Sequence, residues 1–598
     1  MNPSLHTFSI PVMGTGHSID SPIRVAPYGI NSVISIVDDL LVEKIRKYYS
    51  EKFDLPYKNI PRSAEDGRAK RITAYLDLVH DLVSHKFEEI RSQPFFEDNE
   101  RAKYFRMLPN ESPLKTAYQK LMAAAENEQT SLADKLNDLM QPGSIDVNIM
   151  AKVDKLNLTK SGEPMSAEYS DGSAALRGYA NSKLSSSLVL SAGFNPRLYN
   201  YLSDFQDFYR DACGSIKKKI ILKVSDFRSA LIQGKYLAKK GLEVFEYRIE
   251  SGLNCGGHAF ATDGLLLPVL LKEFKEKKEM LSSAIRPLVE KFYEDEREGF
   301  STKWEVQEPR ITVQGGIGTQ GEMQRLLKEY DMDSTGWGSP FLLVPEATTV
   351  DQTTRTLLEN AKEEDLYLSG VSPLGVPFNN VRQTGSRIWH EERIEKGKPG
   401  SPCPKGFLES NTEFTENPIC TASTQYQLLK IDQINHSDYD EGKKERLKTK
   451  VLDKACLCDH LGNGALIQLG IQKESRAPQA ICPGPNIAYF SGEYSLEEMV
   501  NHIYGRRTSL VEGERPHMFA KEMRMYVDYL QELIDESDSD PGENRKLTKF
   551  RNNLEEGMNY CLEIAGSNGY EGENLESIKT TVAGLKTRLE HMFSIAVA

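Results

Sequence analysis

The sequence predicts an α/β protein whose centre is a (β/α)8 barrel, or TIM barrel, carrying a large helical insertion and a C-terminal extension that is first loop-rich and then helical. Three observations predict this fold. Short β-prone segments alternate with helical patterns, the strand count reaches eight, and two late strands end in glycine-rich motifs. A doubly wound sheet is the alternative, but no Gly-x-Gly-x-x-Gly motif opens a helix directly after the first strand.

The strands are predicted from their β-branched and apolar runs. Residues 22–37 contain two such runs, split by Pro27 and Gly29, and we expect two strands there, or one strand and a turn. Six further strands are predicted at Ile145–Ala151, Ser187–Ala192, Lys219–Val224, Val244–Ile249, Ile311–Val313 and Asp333–Trp337. Helical patterns lie among them at residues 197–211, 226–240, 264–297 and 320–330.

The same patterns divide the chain into four parts. The barrel is expected to comprise residues 1–37 and 143–365. Residues 38–142 form a helical insertion, because spaced apolar residues alternate there with charged ones. Beyond residue 365 the strand–helix alternation stops, and residues 366–494 are predicted to form a loop-rich cap that contains cysteines. Residues 495–598 are predicted to be helical.

Composition excludes several classes of protein. The chain has 598 residues, of which 39% are hydrophobic, and a net charge of −13, which argues against a dedicated nucleic-acid binder. No window approaches about 18 consecutive apolar residues and no secretory signal precedes the first strand, so we expect a cytoplasmic protein without a membrane span. A basic cluster at residues 505–508 and 514–517 is expected to be a solvated, salt-bridged face, with phosphate or RNA binding as alternatives.

Two glycine motifs mark one end of the predicted barrel. The run from Val244 ends in Cys255-Gly256-Gly257-His258, and the later motif Gly315-Gly316-Ile317-Gly318 also follows a strand. The eighth strand ends in Gly336-Trp337-Gly338-Ser339. Loops after strands seven and eight of such barrels commonly hold a phosphate, so these two loops predict one phosphate cradle. The alternative is that the glycines only form tight turns.

In this order, the motifs Gly256-Gly257-His258, Gln314–Ile317 and Trp337–Phe341 resemble those of the nitronate monooxygenase family of flavoproteins. Flavin-dependent enoyl-acyl carrier protein reductases and the enoyl reductase of polyunsaturated fatty acid synthases share that fold, an FMN-binding TIM barrel. The resemblance covers about residues 22–50 and 145–350. The glycine that the family carries after His258 is replaced here, and its arginine is replaced by Pro340, so the substrate is left open.

The resemblance implies roles for individual residues. The phosphate of FMN would be held by Gly315, Gly316, Gly338 and Ser339, with Gly257 also at the cofactor. The flavin ring would lie against Ala26, Pro27 and Tyr28, with Asn148 and Lys223 near its polar edge. His258 would donate or accept a proton, since an imidazole titrates near neutrality, unless it is only a structural histidine. Lys223 would stabilise negative charge on the reduced flavin, or else pair with Asp226 at the rim.

A second candidate centre is a group of cysteines in the cap. Four of them, Cys403, Cys420, Cys456 and Cys458, fall within 56 residues and are flanked by proline and other turn-forming residues. Rigid turns can direct several thiolates at one point, so we expect a metal centre, with an iron–sulfur cluster favoured over zinc. The alternative is a set of buried or reactive single cysteines, among which Cys420 is a candidate redox-active thiol.

The sequence therefore predicts an FMN-dependent oxidoreductase that acts on a small-molecule or carrier-bound substrate. NAD(P)H or a protein is the electron donor to test, and the oligomeric state is open. Two alternatives remain: a barrel enzyme without flavin that binds a phosphorylated metabolite, and a non-catalytic barrel that serves as a scaffold for a partner protein.

Overall fold

A computed structural model of the chain describes residues 4–149, 153–157, 159, 163–256, 262–296, 305–536 and 541–596. Its centre is a closed barrel of eight parallel strands in sequential order. The strands are β1 (Phe8–Ile10), β2 (Asn31–Ser35), β3 (Ile145–Ile149), β4 (Ser187–Leu190), β5 (Lys219–Val224), β6 (Val244–Glu250), β7 (Arg310–Gln314) and β8 (Ser334–Gly336). The predicted TIM barrel is confirmed.

The barrel closes through its two shortest strands, β1 and β8, which have three residues each. In β1, Ser9 is in register with Asn31 of β2 on one side and with Gly336 of β8 on the other. The remaining neighbours pair in sequence, and β5–β6 has an irregular register between Ile220 and Ile221. Every strand is therefore paired on both edges, as closure of a sheet requires.

The first strand is not where the sequence placed it. Residues Ser21–Val25 form a short helix, because Pro22 lies in the first turn, where a missing N–H costs no hydrogen bond. Gly29 then ends the following turn with φ of +80°, and only the second apolar run becomes a strand, β2. The true first strand, Phe8–Ile10, has three residues and is too short to show an alternating pattern.

The helices follow the strands around the barrel and continue into the insertion, the cap and the C-terminal region. They are α1 (Ser21–Val25), α2 (Asp39–Lys52), α3 (Gly67–Ser92), α4 (Glu100–Met107), α5 (Pro113–Ala123), α6 (Glu126–Leu139), α7 (Asp171–Ala180), α8 (Pro196–Leu202), α9 (Phe227–Ala238), α10 (Leu267–Glu276), α11 (Lys278–Glu296), α12 (Gln320–Lys328), α13 (Gln352–Asn360), α14 (Gly385–Glu395), α15 (Thr424–Asn435), α16 (Glu441–Asp453), α17 (Leu457–Gln468), α18 (Leu496–Ile503), α19 (Met518–Glu536), α20 (Pro541–Ala565) and α21 (Leu575–Ala596). In the described part of the chain, no helix combines the length and apolar character that crossing a bilayer requires.

The helices of the insertion between β2 and β3 pack into two separate hydrophobic cores. Its helices α2 and α3 pack into the main core through residues such as Ile45 and Tyr75. Helices α4 to α6 instead enclose a separate small core that includes Phe105 and Leu121. The first two helices therefore serve as the outer layer of the barrel, and the last three add a satellite to it.

The cap is more regular than the loop-rich region that the sequence predicts, since it contains a hairpin and the helices α14 to α17. Where long loops are expected from residue 366 onward, the structure has an antiparallel hairpin, β9 (Leu366–Ser369) and β10 (Phe378–Val381), followed by α14. Proline and glycine lie in the turn that joins the two strands, at Pro373 and Gly375. The turn residues were therefore visible in the sequence, but the short strands beside them were not.

Side chains inside the barrel form three layers, because residues two apart on a strand face the same side. The amino-terminal layer is polar and includes Asp146, Glu246 and Thr312, which line a cavity of about 320 Å³. The middle layer is apolar and consists of Val33, Val189 and Ile221. The carboxyl-terminal layer is polar again, and it comprises Ser35, Asn148, Lys223, Glu250 and Gln314.

Candidate active site at the carboxyl end of the barrel

The carboxyl-terminal layer contains one connected polar group around Glu250. Lys223 Nζ lies 3.2 Å from Glu250 Oε2. Glu250 Oε1 accepts hydrogen bonds from Gln314 Nε2 at 2.8 Å and from Asn254 Nδ2 at 2.9 Å. The carboxylate paired with Lys223 is thus Glu250, whereas Asp226 caps α9 by accepting from the Ser229 N–H. The lysine is held at the end of β5 with its charge inside the barrel mouth.

Asn148 is the most informative residue of this layer. It is fully buried on β3, and neither its side-chain oxygen nor its nitrogen has a hydrogen-bond partner among the described residues. The hydroxyl of Ser35, at the end of β2, and the Oδ1 atom of Asn254 are buried and unpartnered in the same way. A buried amide without partners costs about 1–3 kcal/mol, so such a group calls for a ligand.

The loop after β7 supplies the first half of the predicted cradle. Gly315 and Gly316 have φ of +99° and +79°, a region that side-chain-bearing residues rarely adopt. A Cβ on Gly315 would lie 2.8 Å from Asn254, and one on Gly316 would lie 2.6 Å from Leu253. The glycines therefore make the tight turn that was the alternative explanation, and this turn also presents their backbone inward.

The loop after β8 supplies the second half. A Cβ on Gly338 would lie 3.2 Å from Cys255 Sγ and 3.5 Å from Pro11, so the β1, β6 and β8 loops meet at this glycine. Within the described residues, four backbone N–H groups of the two loops have no hydrogen-bond acceptor. They are those of Gly316, Ile317, Gly338 and Ser339. Convergent unpaired N–H groups are an anion-binding arrangement.

The cap covers the cradle from outside. The Ser339 hydroxyl accepts a hydrogen bond from the Gly484 N–H at 2.9 Å, and it lies 3.2 Å from Cys255 Sγ. Asn486 Nδ2 donates to the carbonyl of Ile317 at 2.8 Å. Burial raises the pKa of the Cys255 thiol, so Cys255 is a packing residue here. The segment around Gly484 thus closes the outer wall of the candidate site.

Arg515 is a residue that the sequence analysis placed on a solvated face, and the structure corrects this. Its guanidinium is buried and donates to the carbonyl of Gly316 at 2.7 Å, to Asn486 Oδ1 at 2.6 Å and to Glu322 Oε1 at 2.6 Å. Burial alone would raise the pKa of Glu322, but the Arg515 charge outweighs it and leaves that pKa below its usual value. Because Arg515 lies in an acidic C-terminal region, nothing in the sequence indicates that its side chain is buried against Glu322.

A second buried ion pair lies beside the pair formed by Arg515 and Glu322. Arg325, on α12, donates to both carboxylate oxygens of Glu573, at 2.6 and 2.9 Å, and His517 lies 3.2 Å from the same group. Burial opposes ionisation of Glu573, yet the hydrogen bonds from His517 and Arg325 lower its pKa to about 2. The C-terminal helices are therefore clamped to the helix that starts just beyond the cradle.

Three residues that were predicted to contact the flavin do not lie at the carboxyl end of the barrel. Ala26, Pro27 and Tyr28 form a 3₁₀ turn that precedes β2 and so lie on the amino-terminal side of the barrel. The carbonyl of Ala26 accepts from the Gly143 N–H at 2.8 Å, and the Tyr28 hydroxyl bonds to Glu100 in the insertion. The carboxyl end of β1 leads instead to Pro11, which reaches Gly338. The missed β1 explains the misplacement.

The loop after β1 also contains a histidine, His17. His17 is buried and its two ring nitrogens have no hydrogen-bond partner among the described residues. Burial lowers its pKa, and the loop packs beneath α17, where a Cβ on Gly464 would lie 3.4 Å from the imidazole. His17 is therefore a neutral histidine at the same end of the barrel.

His258 and Gly257 lie outside the described residues, so their predicted roles stay predictions. The described ends of their loop are fixed by Glu522 of α19, which accepts from the Ser251 hydroxyl at 2.9 Å, the Gly252 N–H at 3.1 Å and the Leu267 N–H at 2.8 Å. Burial raises the pKa of Glu522. The C-terminal region thus holds both ends of the loop that carries His258.

The four cap cysteines do come together, although not as ligands. Cys403 and Cys420 lie beside each other, and their interaction lowers the pKa of Cys403 and raises that of Cys420. Burial raises the pKa values of Cys456 and Cys458, and the nearby Cys403 adds to both shifts. In the part of the chain that the structure describes, no three His, Cys, Asp or Glu side chains are arranged to hold a metal ion. The expected iron–sulfur or zinc centre is therefore not supported.

The strand order and the helices between the strands define a (β/α)8 barrel. No protein-family profile and no curated protein matches the chain. Among solved structures it is similar to FabK from Thermotoga maritima, with 12% identity, a TM-score of 0.32, and coverage of 68% of this chain and 85% of that one. It is also similar to the enoyl reductase domain of MlnA from Bacillus amyloliquefaciens, with 15% identity, a TM-score of 0.34, and coverage of 69% and 88%.

Proposed function

We propose that the protein is an FMN-dependent oxidoreductase of the nitronate monooxygenase or enoyl reductase type. The observation that carries the proposal is the buried, unpartnered amide of Asn148, which lies in the same polar layer as Lys223. A flavin ring edge offers both donors and acceptors, so one ligand of this kind would satisfy the oxygen and the nitrogen together.

The residues present fit FMN. The unpaired N–H groups at Gly316 and Gly338 suit its phosphate, and Lys223 supplies a positive charge at the end of β5. When bound, FMN supplies hydride or electron transfer, while the protein supplies orientation, charge and exclusion of water. The cap segment around Gly484 serves the last purpose, because it closes the outer wall beside Ser339.

Individual side chains take distinct parts in this proposal. The Lys223 ammonium would stabilise negative charge on the bound ligand, and its pairing with the Glu250 carboxylate offsets part of that stabilisation. His258 transfers a proton to or from the substrate. The substrate is a small molecule or a carrier-bound acyl group, and NAD(P)H or a protein donates electrons.

The test is cofactor binding by the full chain. Purified protein, prepared anaerobically and titrated with FMN, is expected to turn yellow and to quench flavin fluorescence with one site per chain. Anaerobic reduction with NADH and with NADPH then identifies the donor, and a nitronate and an enoyl thioester distinguish the two reaction types. A chain that binds simple phosphate esters but not FMN would replace this proposal with a flavin-free enzyme.

The role of His258 needs its own variant. His258→Ala is expected to bind FMN normally and to lose at least about tenfold in turnover, in line with the usual contribution of a general acid or base. If this variant keeps full turnover, the proton is handled elsewhere, and His17 becomes the residue to substitute next.

A further inference from the structure

The segment around Cys403 is fixed against the segment that follows Cys420. The Ser401 N–H donates to the carbonyl of Ala422 and its carbonyl accepts from the Thr424 N–H, each at 2.9 Å. The Ser423 N–H donates back to the carbonyl of Cys420, also at 2.9 Å, which closes a turn just before this bridge. The backbone therefore holds the two segments that contain Cys403 and Cys420 side by side, although 17 positions separate the cysteines in sequence.

Cys403 is held rigidly and in an unusual conformation. It lies between Pro402 and Pro404, whose rings fix their own φ angles. Its own φ is +54°, which few residues other than glycine adopt, and a following proline restricts it further. Such strain persists only where surrounding structure enforces it, and it is typical of functional positions. Here that structure is the pairing with residues 422–424.

The two thiols differ in access. Cys403 is partly exposed, whereas Cys420 is only 5% exposed. Lys405, two residues from Cys403, is anchored to Asp38 at 2.6 Å and to the carbonyl of Cys458, which fixes the loop to the end of β2. The more exposed thiol, that of Cys403, is therefore the one that solutes reach more readily.

We propose that Cys403 and Cys420 are a redox-active thiol pair, in which a hydroperoxide oxidises Cys403 and Cys420 converts the product to a disulfide. In the first step the Cys403 sulfur attacks a peroxide oxygen, the O–O bond breaks, and a sulfenic acid and water (or an alcohol) form. In the second the Cys420 sulfur attacks Cys403, the S–O bond breaks and a second water leaves. Two thiols thus supply the two electrons that reduce one peroxide.

This inference does not depend on a flavin. It needs only two of the four cysteines, since a thiol pair requires one sulfur–sulfur contact rather than several ligands at one point. The Glu409 carboxylate, 3.8 Å from the Cys403 sulfur, opposes ionisation of this thiol, but the interaction with Cys420 outweighs it and lowers the pKa of Cys403, which favours the thiolate that such a reaction requires.

The test maps oxidation in the full chain. Reduced protein is treated with stoichiometric hydrogen peroxide, its remaining thiols are alkylated, and non-reducing digests are analysed by mass spectrometry. The expected product is a peptide pair joined through Cys403 and Cys420 that disappears after reduction. Wild-type protein suffices for this result, so it does not depend on a variant that folds.

Two variants and a control sharpen the assignment. Cys420→Ser is expected to accumulate a sulfenic acid at Cys403 that a dimedone probe captures, and Cys403→Ser is expected to leave Cys420 unoxidised. Cys213→Ser, at an exposed cysteine far along the chain, is the matched control and should change neither result. A disulfide between other cysteines, oxidation at Cys213 before Cys403, or stoichiometric iron or zinc that Cys403→Ser removes would each overturn the proposal.

Discussion

The two ends of the barrel are both polar inside, yet they differ in how their polar groups are satisfied. On β3, Asp146 faces the amino-terminal cavity and accepts hydrogen bonds from the Ser144 hydroxyl at 2.6 Å and the Ser187 N–H at 3.1 Å. Two residues further, at the carboxyl end, Asn148 has no partner for either atom of its amide. Asp146 and Asn148 lie on the same strand, are both buried and point to the same side of the sheet. The difference therefore lies in what each end of the barrel contacts.

This difference separates a structural cavity from a binding site. The amino-terminal cavity has about 320 Å³, but its polar side chains bond one another, as Glu246 does with Arg248 and Thr312. A satisfied group gains little from a ligand, whereas an unsatisfied buried group gains the full value of a hydrogen bond. Unpaired buried atoms therefore locate the candidate site better than cavity size does.

The largest expected effect concerns acid stability, where the two ends should respond with opposite sign. Glu573 has a pKa of about 2 in the fold against 4.5 normally, so its stabilisation is complete above pH 4.5 and is lost as pH falls toward 2. The shift corresponds to about 3 kcal/mol. Burial raises the pKa of Asp146, so its contribution is greatest below its ordinary value of 3.8 and is lost as pH rises.

Glu573→Gln should therefore reduce the acid-dependent loss of unfolding free energy between pH 5 and 2 by up to about 3 kcal/mol, as measured by urea denaturation at each pH. The exposed neighbour Glu571→Gln is the control and should leave the profile unchanged. If the unfolding free energy of Glu573→Gln fell with decreasing pH as it does in the wild type, the clamp between α12 and the C-terminal helices would contribute nothing to the acid dependence of stability.

Asn148→Ala tests the carboxyl end. Because the amide has no protein partner, its removal should leave the free energy of unfolding without FMN nearly unchanged, within about 1 kcal/mol. The same change should weaken FMN binding about 10- to 100-fold, equivalent to about 1.4–3 kcal/mol for lost hydrogen bonds. Fluorescence titration and urea denaturation measure the two quantities. Normal FMN affinity in this variant would remove the observation on which the proposed function rests.

Asp146→Ala is the matched variant at the other end of the same strand. It leaves the Ser187 N–H and the Ser144 hydroxyl without their acceptor, so unfolding should cost about 1–3 kcal/mol less. FMN affinity should stay within about twofold of wild type, since Asp146 faces the opposite mouth of the barrel. If Asp146→Ala weakened FMN binding as much as Asn148→Ala does, the two ends would not be functionally distinct.

Much of the barrel could be predicted from the sequence, because strand and helix patterns are local. Strands such as Lys219–Val224 match their predicted bounds, since a β-branched run followed by an Asp cap at Asp226 is visible within a few residues. The first strand could not be found, because three residues carry no period and their pairing partners, Asn31 and Gly336, lie far away in sequence. That one error also displaced the predicted ring contacts at Ala26–Tyr28.

The site was predictable to the extent that glycines reveal it. Glycine is required at positions 315 and 316 because both φ angles are positive. In the sequence, only the presence of the glycines indicates this conformation. The covering residues Arg515 and Asn486 come from a region more than 150 positions later, and nothing local distinguishes a buried arginine from a solvated one. The four cysteines of the cap lie in one region of the fold, but their number in the sequence did not decide between a metal centre and a thiol pair.

The smallest expected effect isolates the phosphate cradle. Gly338 has φ of −104°, so alanine fits the backbone, and its Cβ would only crowd Cys255 Sγ at 3.2 Å. Gly338→Ala should therefore cost little stability, yet the methyl group would narrow the space before the unpaired N–H groups. FMN affinity should fall about three- to tenfold, or about 0.6–1.4 kcal/mol, while riboflavin, which lacks the phosphate, should bind as before. Gly193→Ala, whose Cβ would meet nothing within 4 Å, is the control. Equal losses for FMN and riboflavin would place the phosphate elsewhere, and the cradle would then be a turn that joins β8 to the cap.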